Sequence, residues 1–201
     1  MSTNFDPDSE LMRRVRQGDR EAFASLVDKY RQPVIALIAR ILNDPHEAED
    51  LAQNVFVQAY KAADRYEVTA RFSTWLFTIA RNACLNELRR RSRHPTESMD
   101  VESPDAETPA RQFEDVAQLK PTEQTLQREL QAKVLEALAQ LPENQRTAIL
   151  LCQQSDLSYE DIAKVLGCSI SATKSLIHRG REVLRQRLKP YLSTGEWSGK
   201  G

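Results

Sequence analysis

Polar and basic side chains cluster on a short stretch that carries the capping signals of two helices. Ser158 and Asp161 have the spacing of a capping box, Gly167 can end the helix that follows, and Ser169 can cap the next one. Five residues share the outer face of that next helix: Ser171, Lys174, Ser175, His178 and Arg179. Such side chains can hydrogen-bond base edges or phosphates when a helix enters the major groove. The stretch 158–188 therefore predicts a DNA-binding helix-turn-helix.

Charge is strongly segregated along the chain, although its formal net charge is only -1. Residues 71–93 carry six arginines against one glutamate, and residues 174–189 carry six basic residues against one glutamate. Residues 94–119, between them, carry seven acidic residues against one arginine. Clustered positive charge on helices is typical of polyanion binders, and solvated helix faces are the alternative that charge alone leaves open.

Enzymatic and metal-binding chemistry have no support in the sequence. The three histidines have no mutual ligand spacing, no glycine-rich phosphate loop occurs, and no nucleophile stands beside a base. The three cysteines are too far apart for a metal knuckle or a disulfide framework: Cys84, Cys152 and Cys168. We therefore expect no catalytic residue, no cofactor and no metal site, and we predict that the protein is not an enzyme.

Apolar residues recur at helical spacing in two blocks, at 9–93 and 122–190. Only 6 glycines and 6% aromatic residues argue against a fold of strands and turns. Residues 94–121 are acidic and interrupted by prolines, so they cannot bury enough surface to offset their chain entropy. The sequence therefore predicts an all-α protein of two small helical domains joined by a flexible linker.

Capping residues predict where the helices of the first block begin and end. Ser9 can cap a short helix that stops at Gly18, and Asp19 can cap the second helix. Pro33 lies inside this second helix and predicts a kink. Pro45 suits the first turn of a third helix, because its missing N–H costs nothing there.

The sequence has no membrane or export signal. No apolar run approaches the roughly 18 residues of a membrane span. The first residues do not follow the basic-then-apolar pattern of a signal peptide. With an odd number of scattered cysteines, these features favour a cytoplasmic protein that is not inserted in a membrane.

Three segments, in this order, resemble the extracytoplasmic-function (ECF) sigma factors of bacteria, a group of the sigma-70 family. They are DPHEAEDLAQNVFVQAYKAADRY at 44–66, RFSTWLFTIARNACLNELRRRSR at 71–93 and LPENQRTAILLCQQSDLSYEDIAKVLGCSISATKSLIHRGREVLRQRL at 141–188. The resemblance covers about 20–190 apart from the linker. It implies a sigma-2 domain in the first block and a sigma-4 domain in the second. The expected partners are core RNA polymerase, promoter DNA and an anti-sigma factor that holds the protein inactive.

The resemblance assigns binding of the polymerase clamp coiled coil to the third helix. The residues that match this surface are Glu47, Glu49, Asp50, Leu51, Gln53, Asn54 and Phe56. Acidic residues near the start of a helix also complement its dipole, and this role is compatible with binding a partner. Asn54 stands where the family often has glutamate, which slightly reduces the charge of the surface.

The resemblance assigns recognition and opening of the -10 promoter element to 67–93. Opening DNA requires an extruded base to be held by stacking and by contacts to its edge. The residues expected near the strand are Phe72, Thr74, Trp75, Asn82 and Asn86, and those expected to hold its backbone are Arg81, Arg89, Arg90 and Arg91. Trp75 is equally compatible with a place in the core.

The helix at 169–188 matches the reader of the -35 promoter element, so its five polar residues named above are expected to contact -35 DNA. This helix departs from the family pattern at two positions. Leu176 stands where arginine is common, and Gly180 stands where alanine is common. The glycine costs about 1 kcal/mol of helix propensity.

Two other functions remain open at this point. A simple helix-turn-helix repressor or activator would account for 158–188, but it would leave the acidic and basic segments of the first block unexplained. A protein that only binds other proteins, such as a sigma inhibitor, would lack paired DNA-reading helices, and this sequence predicts two of them.

Overall fold

The computed structural model describes residues 6–67, 70–93 and 121–194. Within these ranges the chain forms helices and no strand, which confirms the all-α prediction. The helices are α1 (Pro7–Arg16), α2 (Arg20–Leu42), α3 (Pro45–Lys61), a 3-10 turn (Ala63–Arg65), α4 (Phe72–Arg93), α5 (Pro121–Ala139), α6 (Glu143–Cys152), α7 (Tyr159–Leu166) and α8 (Ile170–Thr194). The predicted flexible linker lies almost entirely outside the described residues.

Two helices of the first half begin with an aspartate followed by a proline. Asp44 caps α3 and Pro45 occupies its first turn, as predicted. The prediction that Ser9 caps α1 is wrong, because Asp6 holds that position. Ser9 lies inside α1, where its hydroxyl donates to Asp6 Oδ2 at 2.6 Å. The start of α1 therefore uses the same pair of residue types as the start of α3.

The helix α2 supplies the central buried stripe of the first half. Asp19 caps it, accepting a hydrogen bond from the backbone N–H of Ala22 at 3.0 Å. The helix continues through Pro33 to Leu42 without a break. Its buried side chains recur at steps of three and four: Leu26, Tyr30, Val34, Leu37, Ile38 and Ile41. Burying such side chains contributes about 1.5–3 kcal/mol each, and here it joins α2 to α1, α3 and α4.

The helix-turn-helix forms from α7 and α8, as its capping signals predicted. Ser158 and Asp161 form a reciprocal capping box at the start of α7. Gly167 ends α7 in the left-handed region at φ 65°, a conformation that costs glycine little. The Ser169 hydroxyl oxygen accepts from the backbone N–H of Ala172 at 3.1 Å, which caps the start of α8. These contacts fix the angle at which α8 is presented.

Gly180 lies where α8 crosses α6. A Cβ added at this glycine would lie 2.5 Å from Cδ1 and 3.3 Å from Cγ1 of Ile149, a buried residue of α6. A methyl group there requires Ile149 to move. The departure from the family pattern at Gly180 therefore coincides with a close approach of two helices.

The two halves of the chain pack against each other. The helices α5 and α6 contact α2, and α7 contacts α4. Buried apolar residues from both halves form one contiguous cluster. Arg146 of α6 donates to the backbone carbonyl of Ile41 at 2.8 Å, at the end of α2. The same guanidinium donates to the carbonyls of Ala139 at 2.7 Å and Leu141 at 3.0 Å. Arg146 thus ties the end of α2 to the loop before α6.

Candidate nucleic-acid and protein interfaces

The outer face of α8 presents all five residues that the sequence predicted for it. Ser171, Lys174, Ser175, His178 and Arg179 are exposed. They lie in the N-terminal half of α8, where the free backbone N–H groups of the first turn add positive potential. This face therefore combines hydrogen-bonding side chains with positive charge, as a helix in the major groove requires.

Tyr159 is a neighbour of this face that sequence reasoning did not single out. Its ring lies under the Lys174 ammonium, with 6.0 Å between the nitrogen and the ring centroid. Tyr159 is the first residue of α7, directly after the cap Ser158, and its side chain is exposed. The sequence signal that could have identified Tyr159 is its position directly after Ser158, the first residue of the predicted capping box.

The outer face of α4 brings together three of the residues predicted for the -10 element. Asn82, Asn86 and Arg89 are exposed and follow one another at steps of four and three residues, so they line one side of the helix. Arg89 donates to Asn86 Oδ1 at 3.3 Å. This stripe offers amide and guanidinium groups to a polar ligand.

Arg90 and Arg91 bind the same carboxylate on α4. Glu87 is mostly buried and accepts from Arg90 and from Arg91, at 2.8 Å to the Nε of each. The Arg90 hydrogen bonds lower the pKa of Glu87; burial opposes this, and Arg91 adds to the lowering. Arg91 also donates to Asp44 Oδ2 at 2.8 Å, so it links α4 to the cap of α3. Part of the positive charge predicted for DNA is therefore balanced within the protein.

The aromatic residues at the start of α4 belong to the core rather than to an open surface. Phe72 is almost completely buried, and its backbone N–H donates to Asp6 Oδ2 at 2.7 Å. Trp75 is half-buried, with its ring centroid 5.0 Å from that of Tyr66 and 5.9 Å from that of Phe72. The structure therefore places Phe72 inside the protein and leaves only part of Trp75 accessible.

Two further residues predicted for the -10 element face the second half of the chain. Thr74 is buried, and its hydroxyl donates to Asp161 Oδ1 at 2.9 Å. Arg81 donates to Asn144 Oδ1 at 3.0 Å, and its side chain is only 13% exposed. The nine residues predicted for the -10 element thus divide into an exposed stripe, a carboxylate-bound pair, and a group in the N-terminal half of α4 that is wholly or partly covered.

The outer face of α3 carries most of the residues predicted to bind polymerase. Glu49, Asp50, Gln53 and Asn54 are exposed, while Glu47 and Leu51 are half-buried. Phe56 differs from the expectation, because it is only 7% exposed and packs in the core.

Two apolar residues extend the exposed face of α3 beyond the predicted set. Val57 is 48% exposed and Tyr60 is 45% exposed, the latter with its ring 4.9 Å from that of Phe23. They follow Asp50, Gln53 and Asn54 at helical spacing. Exposed apolar residues beside polar ones suit a protein partner.

The described residues also limit other kinds of site. Among them, no group of three histidine, cysteine, aspartate or glutamate residues could hold a metal ion, and all three cysteines are free. Burial raises the pKa of the Cys84 thiol to about 12. No helix in the described ranges is long and apolar enough to cross a membrane.

Two family models match the chain, one in each half. The model described as Sigma-70 region 2 matches residues 26–94, which include α3 and α4. The model described as Sigma-70, region 4 matches residues 131–184, which include the helix-turn-helix. Their order along the chain agrees with the order of the surfaces described above.

Similar proteins match over nearly the whole chain. The RNA polymerase sigma-H factor of Pseudomonas aeruginosa is 40% identical over 191 residues, which cover 93% of this chain and 96% of that protein. The ECF RNA polymerase sigma factor SigW of Bacillus subtilis is 34% identical and covers 89% of this chain and 95% of its own length. The sigma factor RpoE of Bartonella quintana, solved with the anti-sigma factor NepR, is 30% identical with a TM-score of 0.64, covering 83% of this chain and 96% of its own.

Proposed function

The chain belongs to the extracytoplasmic-function sigma factors of the sigma-70 family, and from this premise we propose that three of its surfaces divide the work of transcription initiation. As an alternative sigma factor, the protein directs core RNA polymerase to specific promoters. In this proposal α3 binds the polymerase, α4 holds the -10 element and α8 reads the -35 element. The corresponding domains are 9–93 and 122–190, joined by the acidic linker 94–121. The role requires no bond-making chemistry from the chain, so we propose that it is not an enzyme.

The polymerase surface consists of the exposed polar residues of α3 together with its apolar extension. Asp50, Gln53 and Asn54 provide charge and hydrogen bonds, and Val57 and Tyr60 provide apolar contact area. Phe56 supports this face from within the core and contributes little direct contact. A polar face that continues into exposed apolar side chains has the mixed character of protein interfaces.

The -10 surface consists of the exposed stripe on α4 and the accessible part of Trp75 near the start of the helix. Asn82, Asn86 and Arg89 are accessible as the chain stands and suit contacts to the strand backbone. Trp75 keeps one part of its ring accessible, which suits stacking on an extruded base. Thr74 and Arg81 can belong to this surface only when the second half of the chain is not packed over them.

The -35 surface is the outer face of α8. Its five exposed side chains and the positive end of the helix are the observation that carries the proposal, because this is the geometry that reads a major groove. Tyr159 extends this surface by holding the Lys174 ammonium over its ring.

An anti-sigma factor is the regulatory partner that we propose. The similar sigma factor of Bartonella quintana was solved in complex with such a protein, and it shares most of its length with this chain. Because core polymerase and promoter DNA are the other partners, we propose the bacterial cytoplasm as the place of action.

Charge reversal at Asp50 tests the polymerase surface. Asp50→Arg places a cation where the proposal requires an acidic residue, and we expect affinity for core polymerase to fall about tenfold or more, which corresponds to about 1.4 kcal/mol or more. The measurement is equilibrium binding of the labelled chain to purified core polymerase.

The matched control is Asp28→Arg, the same reversal at an exposed position of α2. It should bind core polymerase as the parent does, and circular dichroism should show both variants helical. Equal affinities of the Asp50 and Asp28 variants would remove α3 from the polymerase surface. The proposed function itself would be refuted if core polymerase transcribed a fragment library in the same way with and without the added chain.

A further inference from the structure

The start of α1 is hydrogen-bonded to the start of α4 through a short chain of side chains. The carboxylate of Asp6 accepts at Oδ2 from the Phe72 backbone N–H at 2.7 Å and from the Ser9 hydroxyl at 2.6 Å. The Ser9 oxygen lies 2.8 Å from the Tyr66 hydroxyl oxygen, with both residues buried. Asp6, Ser9 and Tyr66 therefore form one continuous chain of polar groups beside α4.

The direction of these hydrogen bonds follows from the protons available. A serine hydroxyl has one proton, and Ser9 donates it to Asp6, whose carboxylate only accepts. The phenol of Tyr66 must therefore donate to the Ser9 oxygen. Because Ser9 is 4% exposed and Tyr66 is 7% exposed, water has little access to replace this bond. The chain of hydrogen bonds thus fixes the position of the Tyr66 hydroxyl and, through it, the tilt of the Tyr66 ring.

The Tyr66 ring packs against the indole of Trp75. The two ring centroids are 5.0 Å apart at an interplanar angle of 62°, an edge-to-face arrangement that aromatic pairs favour. The Phe72 ring lies 5.9 Å from the same indole. The second side-chain torsion of tryptophan has only broad intrinsic preferences, so the neighbouring rings decide the orientation of the indole. Tyr66 and Phe72 therefore hold the buried part of Trp75, and its other part remains accessible.

A second tyrosine belongs to the same aromatic cluster but does not contact Trp75. The Tyr30 hydroxyl donates to Asp8 Oδ2 at 2.5 Å, and the Tyr30 ring lies 5.4 Å from that of Phe72. Among the ring contacts of the described residues, Tyr30 meets phenylalanine rings but not Trp75. Tyr30 and Tyr66 are both buried, and each hydroxyl is bonded to the first turn of α1. Tyr30 is therefore a matched control for Tyr66.

We propose that Tyr66 is a positioning residue for the -10 surface: held by Ser9 and Asp6, it sets the orientation in which Trp75 meets an extruded base. This inference rests on the proposed function, because it takes Trp75 as the ring that stacks on the base. It gives the first turn of α1 an indirect part in promoter opening. A base that stacks on an indole already in the right orientation avoids the cost of ordering that side chain. When only a fraction of molecules holds this orientation, the apparent affinity for the base falls by that fraction.

Two substitutions release the Tyr66 ring while leaving Trp75 itself unchanged. Tyr66→Phe removes the hydroxyl that donates, and Ser9→Ala removes the oxygen that accepts. The control is Tyr30→Phe, which also removes a buried tyrosine hydroxyl bonded to α1. If Tyr66 served only the stability of the fold, Tyr66→Phe and Tyr30→Phe would behave alike. A positioning role predicts that Trp75 responds to Tyr66→Phe alone among these two, and circular dichroism verifies that all variants stay helical.

Fluorescence of Trp75 in the full-length chain reports how firmly the indole is held. The sequence has two tryptophans, so a Trp197→Phe background leaves Trp75 as the single emitting indole. We expect Tyr66→Phe and Ser9→Ala to increase the acrylamide quenching constant of Trp75, while Tyr30→Phe leaves it at the value of the parent. Combining Ser9→Ala with Tyr66→Phe should increase it no further than the larger single effect, because both substitutions break the same chain of hydrogen bonds.

The consequence for DNA is measured with core polymerase on a promoter that the parent selects from a randomised library. Single abasic sites are placed in turn along the non-template strand of the -10 element, and open complexes are quantified. Removing the stacked base should cost the parent about fivefold or more at one position. Trp75→Ala should lose this sensitivity, and Tyr30→Phe should keep it. Tyr66→Phe should reduce it about threefold, as when about a third of the molecules keep the orientation.

Two results would overturn the inference. One is an equal quenching constant in the Tyr66→Phe and Tyr30→Phe variants; the other is a change in quenching with the abasic sensitivity of the parent retained. Failure of the proposed function would look different, because then Trp75→Ala would show the same abasic sensitivity as the parent. That result would remove Trp75 from the -10 surface, whatever Tyr66 does to its fluorescence.

Discussion

Arg91 lies between two acidic residues on different helices. Its guanidinium donates to Glu87 on α4 and to Asp44 at the cap of α3, at 2.8 Å in each case. The sequence predicted it as a contact to the DNA backbone, together with Arg89. The structure separates the two, because Arg89 is exposed and its guanidinium donates to Asn86 of its own helix at 3.3 Å. Arg91 therefore has a structural role whether or not it also meets DNA.

Replacing Arg91 should measurably destabilise the fold. Arg91→Ala removes two charged hydrogen bonds and leaves the mostly buried Glu87 with one fewer partner. Since the Arg91 side chain is 25% exposed, solvent screens part of this loss, and we expect about 1 kcal/mol. Arg89→Ala, the control, should change stability by less than about 0.5 kcal/mol. Urea unfolding at neutral pH is the measurement, and equal midpoints for the two variants would contradict this role.

The effect of Arg91→Ala should shrink in acid. Partial burial raises the pKa of Asp44, but the backbone N–H of Glu47 and the Arg91 guanidinium outweigh it, and the net pKa is lowered. The pKa of Glu87 is lowered too, first by its hydrogen bonds to Arg90 and then by those to Arg91. A carboxylate with a lowered pKa stabilises the fold above its ordinary pKa and loses that contribution as the pH falls through the lowered value. The stability gap between parent and variant should therefore be full at neutral pH and close progressively below the ordinary values of 3.8 and 4.5.

Sequence reasoning predicted the helices that carry the candidate residues but could not tell which side chains at the edge of a buried face point inward. Phe56, Phe72 and Thr74 were predicted as contacts, yet all three are buried. Each lies near the edge of an apolar stripe that covers a wide arc of its helix. At such an edge the exposure of a side chain depends on the neighbouring helices, and sequence spacing does not contain that information.

At the scale of elements, capping signals predicted most helix boundaries well. The capping box of α7, the glycine after it and the caps of α2 and α3 are all as expected. The start of α1 was misassigned to Ser9, although Asp6 is followed by a proline just as Asp44 is. An aspartate followed by a proline therefore begins both α1 and α3, but the prediction from sequence used this pair only for α3.

The crossing of α6 and α8 should cancel the stabilisation that helix propensity alone predicts for Gly180→Ala. Helix propensity alone predicts that Gly180→Ala gains about 1 kcal/mol. The added methyl would meet Ile149 Cδ1 at 2.5 Å, and overpacking costs about 1–3 kcal/mol. We therefore expect Gly180→Ala to give no stabilisation in the parent chain.

A double-mutant cycle checks this explanation. In a chain with Ile149→Val, which lacks the Cδ1 atom, Gly180→Ala should be more favourable than in the parent by about 0.5 kcal/mol or more. Chemical denaturation of the four proteins gives the coupling energy. Additive effects would show that the glycine has no packing role at this crossing.

The proposed division of promoter reading between α4 and α8 also belongs to the scale of elements. Phosphate contacts provide affinity without sequence information, whereas contacts to base edges specify sequence. Lys174→Ala should therefore relax preference at one or two -35 positions, at a cost of about 1–3 kcal/mol for a well-formed base contact. Arg89→Ala should instead lower transcription across many promoters and reduce its salt dependence.

Transcription by core polymerase on a randomised promoter library, at two salt concentrations, separates these outcomes. Arg89 is changed alone on α4, because Arg91→Ala is expected to perturb the fold as well. If Arg89→Ala changed -35 preference while Lys174→Ala changed nothing, the assignment of the two helices would have to be exchanged.

At the scale of the whole molecule, the fold class and the family could be predicted from sequence, but the contact between the halves could not. Thr74 and Asp161 are 87 residues apart in sequence, and Arg81 and Asn144 are 63 apart. Helical spacing predicts the centre of the buried face within one helix. It carries no information on which polar residues of separate helices will meet. The contact between the halves therefore became visible only with the structure.

The hydrogen bond from the Phe72 backbone N–H to Asp6 bears on where a working fragment of this protein begins. The region 2 family model starts at residue 26, so a fragment trimmed to that match would keep all of α3 and α4. It would nevertheless lose the carboxylate that caps α4, together with Met12 and Val15, which are buried in the core. A recombinant fragment meant to bind -10 DNA should therefore start before Asp6. An affinity tag is better placed at the other end of the chain, because Asp6 accepts a hydrogen bond from the first residue of α4, the helix that we propose holds the -10 element.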